Sequence, residues 1–237
     1  QKPRTRLVVF AADSLAAVSF QRRRQPKLVE ALRTVGASAA LISDCRPQKR
    51  ALFLDAADLT SAELATQLIA DHIDCPIPAD FAETLASLGP IPTEDATGSS
   101  LTEADKGIIA LVLDNATAHL RDAGVPLKSI WPHRVFFSGD RPNEEAPLVV
   151  DATGGSRVLY YGPYFHLSEG RWRAKLTVGF TKGAAGLPFK ISAFGPELLG
   201  EARLRPRQEG IFSAQFSFLV SEPERPVEFH IRTEEGA

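Results

Sequence analysis

The feature that most constrains the fold is an alternation of apolar and polar side chains, with a period of two residues, in the C-terminal part of the chain. In the segment "RWRAKLTV" at 171–178 the apolar residues hold the even positions, and the pattern recurs in "FKISA", "FSAQFSFLV" and "VEFHI". Successive side chains of a strand point to opposite faces, so each segment has one face to bury. Glycine- and proline-rich turns such as "TKGAAGLP" separate the segments. The pattern predicts an antiparallel β-sandwich of jelly-roll type over residues 131–237, with a core formed by Trp172, Leu176, Phe216, Phe218, Phe229 and Ile231.

The N-terminal region has a different pattern, in which apolar runs alternate with segments of helical periodicity. The run "LVVFAA" at 7–12 is typical of a buried strand, and "PKLVEALRTV" at 26–35 has the apolar spacing of a helix that Gly36 can end. Two further apolar runs follow, "ASAALIS" and "RALFLDAADL". Strands that alternate with helices indicate an α/β layer. Residues 1–90 are therefore predicted to form an α/β region, and the whole chain to be an α+β protein in two parts.

Helix-capping patterns define the next elements. Thr60 and Glu63 form a T-x-x-E capping box, which predicts a helix over 61–73 with Leu64, Leu68 and Ile69 facing inward. Asp80 and Glu83 repeat the pattern before a shorter helix. The segment "GPIPTEDATGSSL" at 89–101 has the composition of a linker. A long amphipathic helix is expected after Thr102, so residues 91–130 are predicted to be a linker followed by this helix.

Composition excludes several classes of partner. The chain of 237 residues is 44% hydrophobic and carries a formal net charge of −2, so nothing in its overall charge attracts nucleic acid. It contains no apolar run long enough to span a bilayer, and its first residues lack the pattern of a secretory signal. Its two cysteines are too few for a disulfide framework. We therefore expect a cytoplasmic protein that has no membrane span and binds a carbohydrate or another protein, with its oligomeric state left open.

The sequence shows no recognisable catalytic or cofactor motif. Phosphate-binding, dinucleotide-binding, zinc-protease and serine-hydrolase signatures do not occur in it. The five histidines are scattered and lack the spacing of metal ligands. Asp55 and Asp58 follow a predicted strand, where α/β proteins place ligands, although Asp58 can also help to cap the next helix. No catalytic residue, metal site or cofactor is predicted, and whether the chain is an enzyme stays open, with a non-enzymatic role favoured.

All three tyrosines of the chain fall within the stretch "YYGPYFHLSEGRWRAKLTVGF" at 160–180. In one interpretation the aromatic residues fill the core of a β-corner, and two of the tyrosines cap its edge. In the other they form a ligand platform on which a sugar ring stacks, while arginines bind hydroxyl or acidic groups of the ligand. The predicted ligand-binding residues are Tyr161, Tyr164, His166, Arg171 and Arg173.

The same stretch carries a family resemblance. The pattern Tyr-Gly-Pro-Tyr at 161–164, with Leu167 and then Gly-Arg-Trp-Arg at 170–173, resembles a module of alphaproteobacterial surface-glycan proteins. The resemblance covers residues 147–237 and implies a jelly-roll fold of carbohydrate-binding type. It does not imply an established activity.

The N-terminal region is faintly similar to the later half of sulfotransferases. In that family an Arg-Asp-Pro segment leads to a phosphate-binding serine, whereas this chain has Ala-Asp-Ser at 12–14 and lacks the family's phosphate loop. The resemblance suggests an anion site formed by Ser19, Arg22, Arg23 and Arg24. A run of arginines at a helix end is also typical of a solvated surface.

Together these features predict a glycan-binding or interaction protein of bacterial surface-polysaccharide metabolism. One alternative is a transferase, sulfotransferase-like or associated with glycosyl transfer, in which the sandwich is an accessory module. The other alternative is a structural assembly subunit.

Overall fold

The computed structural model describes residues 6–45, 51–55, 57–88 and 101–234. The chain divides into two compact units. The first consists of the residues up to Val35 together with Ile42–Ser129, and the second of Gly36–Leu41 together with the chain from Ile130 onward.

The first unit combines a small parallel sheet with helices, one of which, Leu28–Cys45, also contains the segment Gly36–Leu41 of the second unit. Strands β1 (Leu7–Phe10) and β2 (Ala51–Leu54) pair in parallel, as the alternation of strands and helices predicts. The helices are α1 (Ser14–Arg22), α2 (Leu28–Cys45), α3 (Ala62–Ile73), α4 (Phe81–Leu88), α5 (Glu103–Ile109) and α6 (Asn115–Arg121). None of the helices within the described ranges combines the length and the apolar character needed to cross a membrane.

Helix α2 is longer than the sequence predicts. It continues through Gly36 to Cys45 and includes the run "ASAALIS", which was expected as a separate element. Ala31, Leu32 and Ala40 are buried along it. Glycine costs only about 1 kcal/mol in a helix interior, and the alanines that follow are the strongest helix formers. The prediction that the helix ends at Gly36 is therefore wrong.

Helix α3 forms where it was predicted but begins one residue later. Its N-cap is Ser61, whose hydroxyl accepts a hydrogen bond from the backbone N–H of Leu64 at 3.2 Å, whereas Thr60 lies in a short 3-10 turn. The side chain of Leu64 is 46% exposed, and the buried positions of the helix are Ala65 and Ala70. The prediction that Leu64 faces inward is therefore wrong.

Helices α5 and α6 belong to one long helical segment, as the sequence predicts. Thr102 and Asp105 form a reciprocal capping box at its start, and a five-residue π-helical stretch, Ala110–Asp114, joins the two helices. Ile109 and Val112 are buried, in agreement with the predicted apolar stripe. The predicted linker at 89–101 lies almost wholly outside the described residues.

The second unit is built from two antiparallel sheets. The strands are β3 (Phe137–Ser138), β4 (Val158–Phe165), β5 (Gly170–Phe180), β6 (Phe189–Phe194), β7 (Leu198–Leu204), β8 (Gly210–Val220) and β9 (Val227–Thr233). The larger sheet has the strand order β3-β4-β9-β6-β7, and the smaller pairs β5 with β8. Among the described residues from Ile130 onward the helical segments are short 3-10 turns.

Aromatic side chains from both sheets share one core. The ring of Phe229 on β9 lies 6.1 Å from Phe216 and 5.9 Å from Phe218 on β8, between ring centroids. Trp172 packs against the same buried cluster. Of the six residues predicted to form the core, Phe218 is buried, whereas the other five are only half-buried: Trp172, Leu176, Phe216, Phe229 and Ile231. The chain is thus an α+β protein whose second unit contains two antiparallel sheets.

Candidate functional site

Tyr161 lies on the face of the five-stranded sheet that points away from the shared core. Its strand neighbour in the register is His230 on β9. Phe229, one position earlier on β9, directs its ring into the core, so His230 must point to the other face. The ring of Phe194 on β6 lies 4.9 Å from the His230 ring and extends the same face.

The Gly162-Pro163 dipeptide sets the position of the second tyrosine. Gly162 has φ +103° and Tyr164 has φ +64°, and the peptide bond between Gly162 and Pro163 is cis. A Cβ on Gly162 would lie only 3.3 Å from the ring of Phe137. Glycine therefore allows the close approach of Phe137, whose ring centroid is 5.3 Å from that of Tyr161. The rings of Tyr161 and Tyr164 lie 6.4 Å apart and nearly perpendicular.

Polar groups of β9 lie directly beside these rings. The hydroxyl of Tyr164 donates a hydrogen bond of 2.6 Å to Oε1 of Glu228, and Nε2 of His230 lies 2.8 Å from the same oxygen. The side chain of Glu228 is 21% exposed and that of His230 31% exposed. The hydroxyl of Tyr161 accepts a hydrogen bond from the backbone N–H of Asn143. We call the set Tyr161, Tyr164, Phe194, Glu228 and His230 the tyrosine patch.

The tyrosine patch combines aromatic rings with a hydrogen-bonding carboxylate and imidazole. It spans the neighbouring strands β4, β9 and β6, which makes it about 10 Å wide at the usual strand spacing. The hydrogen bonds of Tyr161 and Tyr164 fix their rings, and Glu228 still has a second carboxylate oxygen that can accept. Sequence reasoning missed Phe194, Glu228 and His230, although the alternation in "VEFHI" puts the last two on one face.

The predicted platform residue His166 has a structural contact of its own. It lies in the turn between β4 and β5, half-buried, with Nδ1 2.9 Å from the carbonyl oxygen of Pro223. Within the described chain, no ring contact or hydrogen bond joins His166 to the two tyrosines. The structure therefore places it beside another loop rather than in the tyrosine patch.

Arg171 and Arg173 lie on the opposite side of the second unit. They are exposed on β5, and the intervening Trp172 packs against the core that separates the two sheets. Lys175, which the sequence prediction did not include, continues the same row. Because β4 and β5 belong to different sheets, the tyrosines of β4 and the arginines of β5 lie on opposite outer faces of the second unit, although they are close in the sequence. The two arginines cannot contact a sugar ring that lies on Tyr161.

Several charged groups near the tyrosine patch form a network of ion pairs. On the same face, Nζ of Lys190 lies 2.6 Å from Oε2 of Glu201, and Arg203 pairs with both Glu201 and Glu234. The hydrogen bond from Lys190 is the main reason that the pKa of Glu201 is lowered, while the hydrogen bond to Glu234 raises the pKa of Arg203. The two cations of this network, Lys190 and Arg203, are therefore neutralised by carboxylates.

The predicted anion site has the geometry of a helix end. Ser19 is buried in α1, whereas Arg23 and Arg24 are exposed just after the helix, 6.0 and 5.5 Å from the ring of Phe20. Arg22 is the last residue of the helix and is half-buried. Cations at a helix C-terminus interact favourably with its dipole, while anions there do not. The arrangement thus explains the arginines without a ligand.

Asp55 and Asp58 are engaged in the turn that follows β2. The backbone N–H of Asp55 donates to Oδ2 of Asp58 at 2.9 Å, and Oδ1 of Asp55 accepts from Ala57 N–H at 2.8 Å. Arg121 lies 3.4 Å from the other oxygen of Asp55. Within the described ranges no three His, Cys, Asp or Glu side chains come close enough together to hold a metal ion.

Comparison of the chain with protein-family models, with curated proteins and with solved structures finds no match.

Proposed function

We propose that the protein binds a glycan on the tyrosine patch, with the two antiparallel sheets as the layers of a jelly-roll-type sandwich. The supporting observation is the juxtaposition of two fixed tyrosine rings with the carboxylate of Glu228 and the imidazole of His230 on one sheet face. A sugar ring offers an apolar face to aromatic side chains and hydroxyls to a carboxylate acceptor.

The charges favour a neutral glycan. The carboxylate within the tyrosine patch is that of Glu228, which would repel an acidic sugar. The nearby cations Lys190 and Arg203 are already paired with carboxylates, while Arg232, further along β9, hydrogen-bonds Oγ of Ser156. Arg171 and Arg173, which suggested an acidic ligand, lie on the other side of the unit. The transferase alternative has no comparable support in the described chain, because Ser19 is buried and Arg23 and Arg24 stabilise a helix end.

Titration calorimetry with neutral and acidic oligosaccharides tests this proposal. Glu228→Gln keeps the size of the side chain but removes its charge, and Tyr164→Phe keeps the ring but removes the hydrogen bond to Glu228. We expect both to weaken binding of a neutral oligosaccharide by about 1.5–3 kcal/mol, the value of a hydrogen bond to a charged group. Gln215→Ala, an exposed change on β8, is the matched control and leaves affinity unchanged.

Two results would contradict the proposal. One is a wild-type protein that binds no neutral oligosaccharide of the panel. The other is a bound oligosaccharide whose affinity survives Glu228→Gln and Tyr161→Ala, with folding of both variants verified by circular dichroism.

A further inference from the structure

The strand β5 has one edge that no other strand of the described chain covers. It pairs with β8 along one side, and β8 is the strand that lies beside it in the described residues. The ladder runs from Gly170 opposite Val220 to Phe180 opposite Gly210 without a register shift. At eleven residues, β5 offers an edge about 36 Å long.

This edge lacks most of the devices that protect sheet edges. Proteins blunt an edge with prolines, bulges, short strands or charged side chains. The sequence of β5, "GRWRAKLTVGF", contains no proline, its ladder has no bulge, and the strand is long. What remains is the row of exposed charges formed by Arg171, Arg173 and Lys175.

The inner face of β5 is incompletely covered. Trp172 and Ala174 pack against the core cluster but stay half-buried, as do Leu176 and Val178 further along. On the larger sheet, by contrast, Ile191 and Ala193 are buried almost completely. An added strand with apolar side chains at alternate positions would cover the open side of this row.

The outer face of β5 is cationic, and its cations have no ion-pair partner among the described residues. Arg171, Arg173 and Lys175 form no ion pair with any described residue. Their cross-strand partners on β8 are Leu219, Ser217 and Gln215, which carry no charge. Acidic residues of an added strand would lie directly beside the three cations.

We propose that the open edge of β5 binds an extended acidic peptide of a partner protein as an additional strand. Backbone hydrogen bonds to the edge would supply affinity, and acidic side chains at alternate positions beside Arg171, Arg173 and Lys175 would supply specificity. A second copy of this chain fits less well, because pairing through β5 would bring the three cations of each copy together. The site is separate from the tyrosine patch and does not depend on glycan binding.

The test uses the full chain and a synthetic peptide as long as β5 in which glutamate and valine alternate. Fluorescence anisotropy measures affinity, and amide hydrogen exchange by NMR shows whether the peptide protects the β5 backbone. We expect binding together with slower exchange of alternate β5 amides. Arg173→Glu is expected to weaken binding by about tenfold or more, whereas Arg207→Glu, the same change in the exposed loop before β8, has little effect.

A charge-swapped pair checks the proposed register. If the peptide side chains lie beside residue 173, a peptide with lysine in place of glutamate should bind the Arg173→Glu variant more tightly than it binds the wild type. Peptide binding that leaves β5 amides unprotected, or equal competition by an acidic polysaccharide such as polygalacturonate, would instead define a general polyanion surface. That outcome, an absence of binding, or a dimer formed through β5 in the free protein would each overturn the proposal.

Discussion

At the scale of single residues, two glycines of the second unit have opposite surroundings. A Cβ on Gly139 would lie 1.9 Å from the carbonyl oxygen of Val158, whereas a Cβ on Gly179 would meet nothing within 4 Å. The backbone N–H of Gly139 also donates to the carbonyl oxygen of Leu159 at 2.8 Å, which holds the two segments together. Gly139 is therefore required by the close approach of two backbones.

Gly139→Ala is expected to lower the free energy of unfolding by about 3 kcal/mol, because the backbone itself must move. Gly179→Ala is the matched control and should be neutral or slightly stabilising, since alanine loses less backbone entropy on folding than glycine. Urea denaturation of both variants measures the difference. Equal stability of the two variants would show that Gly139 and Val158 are further apart than the structure places them.

Tyr164 shows why sequence could locate the candidate site but not describe it. The unusual clustering of tyrosines is visible in the sequence, and the Gly-Pro pair marks a break in the strand. The acceptor for the Tyr164 hydroxyl is Glu228, 64 positions away. A contact of that separation depends on how strands pair, which local periodicity does not encode.

At the scale of elements, the N-cap of helix α3 is Ser61 in the structure, whereas the sequence predicts Thr60. Ser61→Ala should destabilise the protein by about 1 kcal/mol, because it removes the side-chain acceptor of the Leu64 N–H. Thr60→Ala removes only an exposed hydrogen bond to the Ala57 carbonyl and should cost less than about 0.5 kcal/mol. Thermal denaturation of the two variants tests this order, and the reverse order would restore Thr60 as the cap.

The ion pair between Lys190 on β6 and Glu201 on β7 is expected to make the stability of the protein depend on pH in the acidic range. Lys190 lowers the pKa of Glu201 below its ordinary value of 4.5, mainly through a hydrogen bond. A depressed carboxyl pKa stabilises the folded state above pH 4.5, and this contribution is lost as pH falls through the folded-state pKa. Glu201→Gln should therefore show a shallower loss of stability than the wild type in urea denaturation below pH 4.5. An unchanged slope would mean that this pair does not contribute.

The elements themselves differ in how far sequence could predict them. The period of two identified β5, β6, β8 and β9, because apolar side chains recur at alternate positions along each strand, although burial follows this alternation clearly in β5 and β8 and only weakly in β6 and β9. The predicted helix at 26–35 is shorter than α2, because glycine often ends a helix, but the alanines that follow Gly36 favour its continuation to Cys45. Residues that usually end an element, such as glycine, therefore predicted the boundaries of elements less well than periodicity predicted whether an element is a helix or a strand.

At the scale of the whole molecule, strand pairing decides which predicted residues meet. Sequence order suggests that β4 and β5 form one hairpin, which would place Tyr161 near Arg171. In the structure β9 inserts between β4 and β6, and β5 pairs with β8 in the other sheet. This arrangement separates the tyrosines from the arginines and brings Glu228 and His230 to Tyr164.

Amide hydrogen exchange across the whole chain tests this arrangement of strands. Strands β9 and β6 are flanked by strands on both sides, so their amides should exchange most slowly. The pair β1–β2 has only four residues per strand, and its amides should exchange much faster. Along β5 we expect slowly and rapidly exchanging amides to alternate, because every second amide pairs with β8 and the others face the open edge. Uniform protection along β5 in the free protein would mean that its second edge is covered, and it would remove the basis for the strand-addition site.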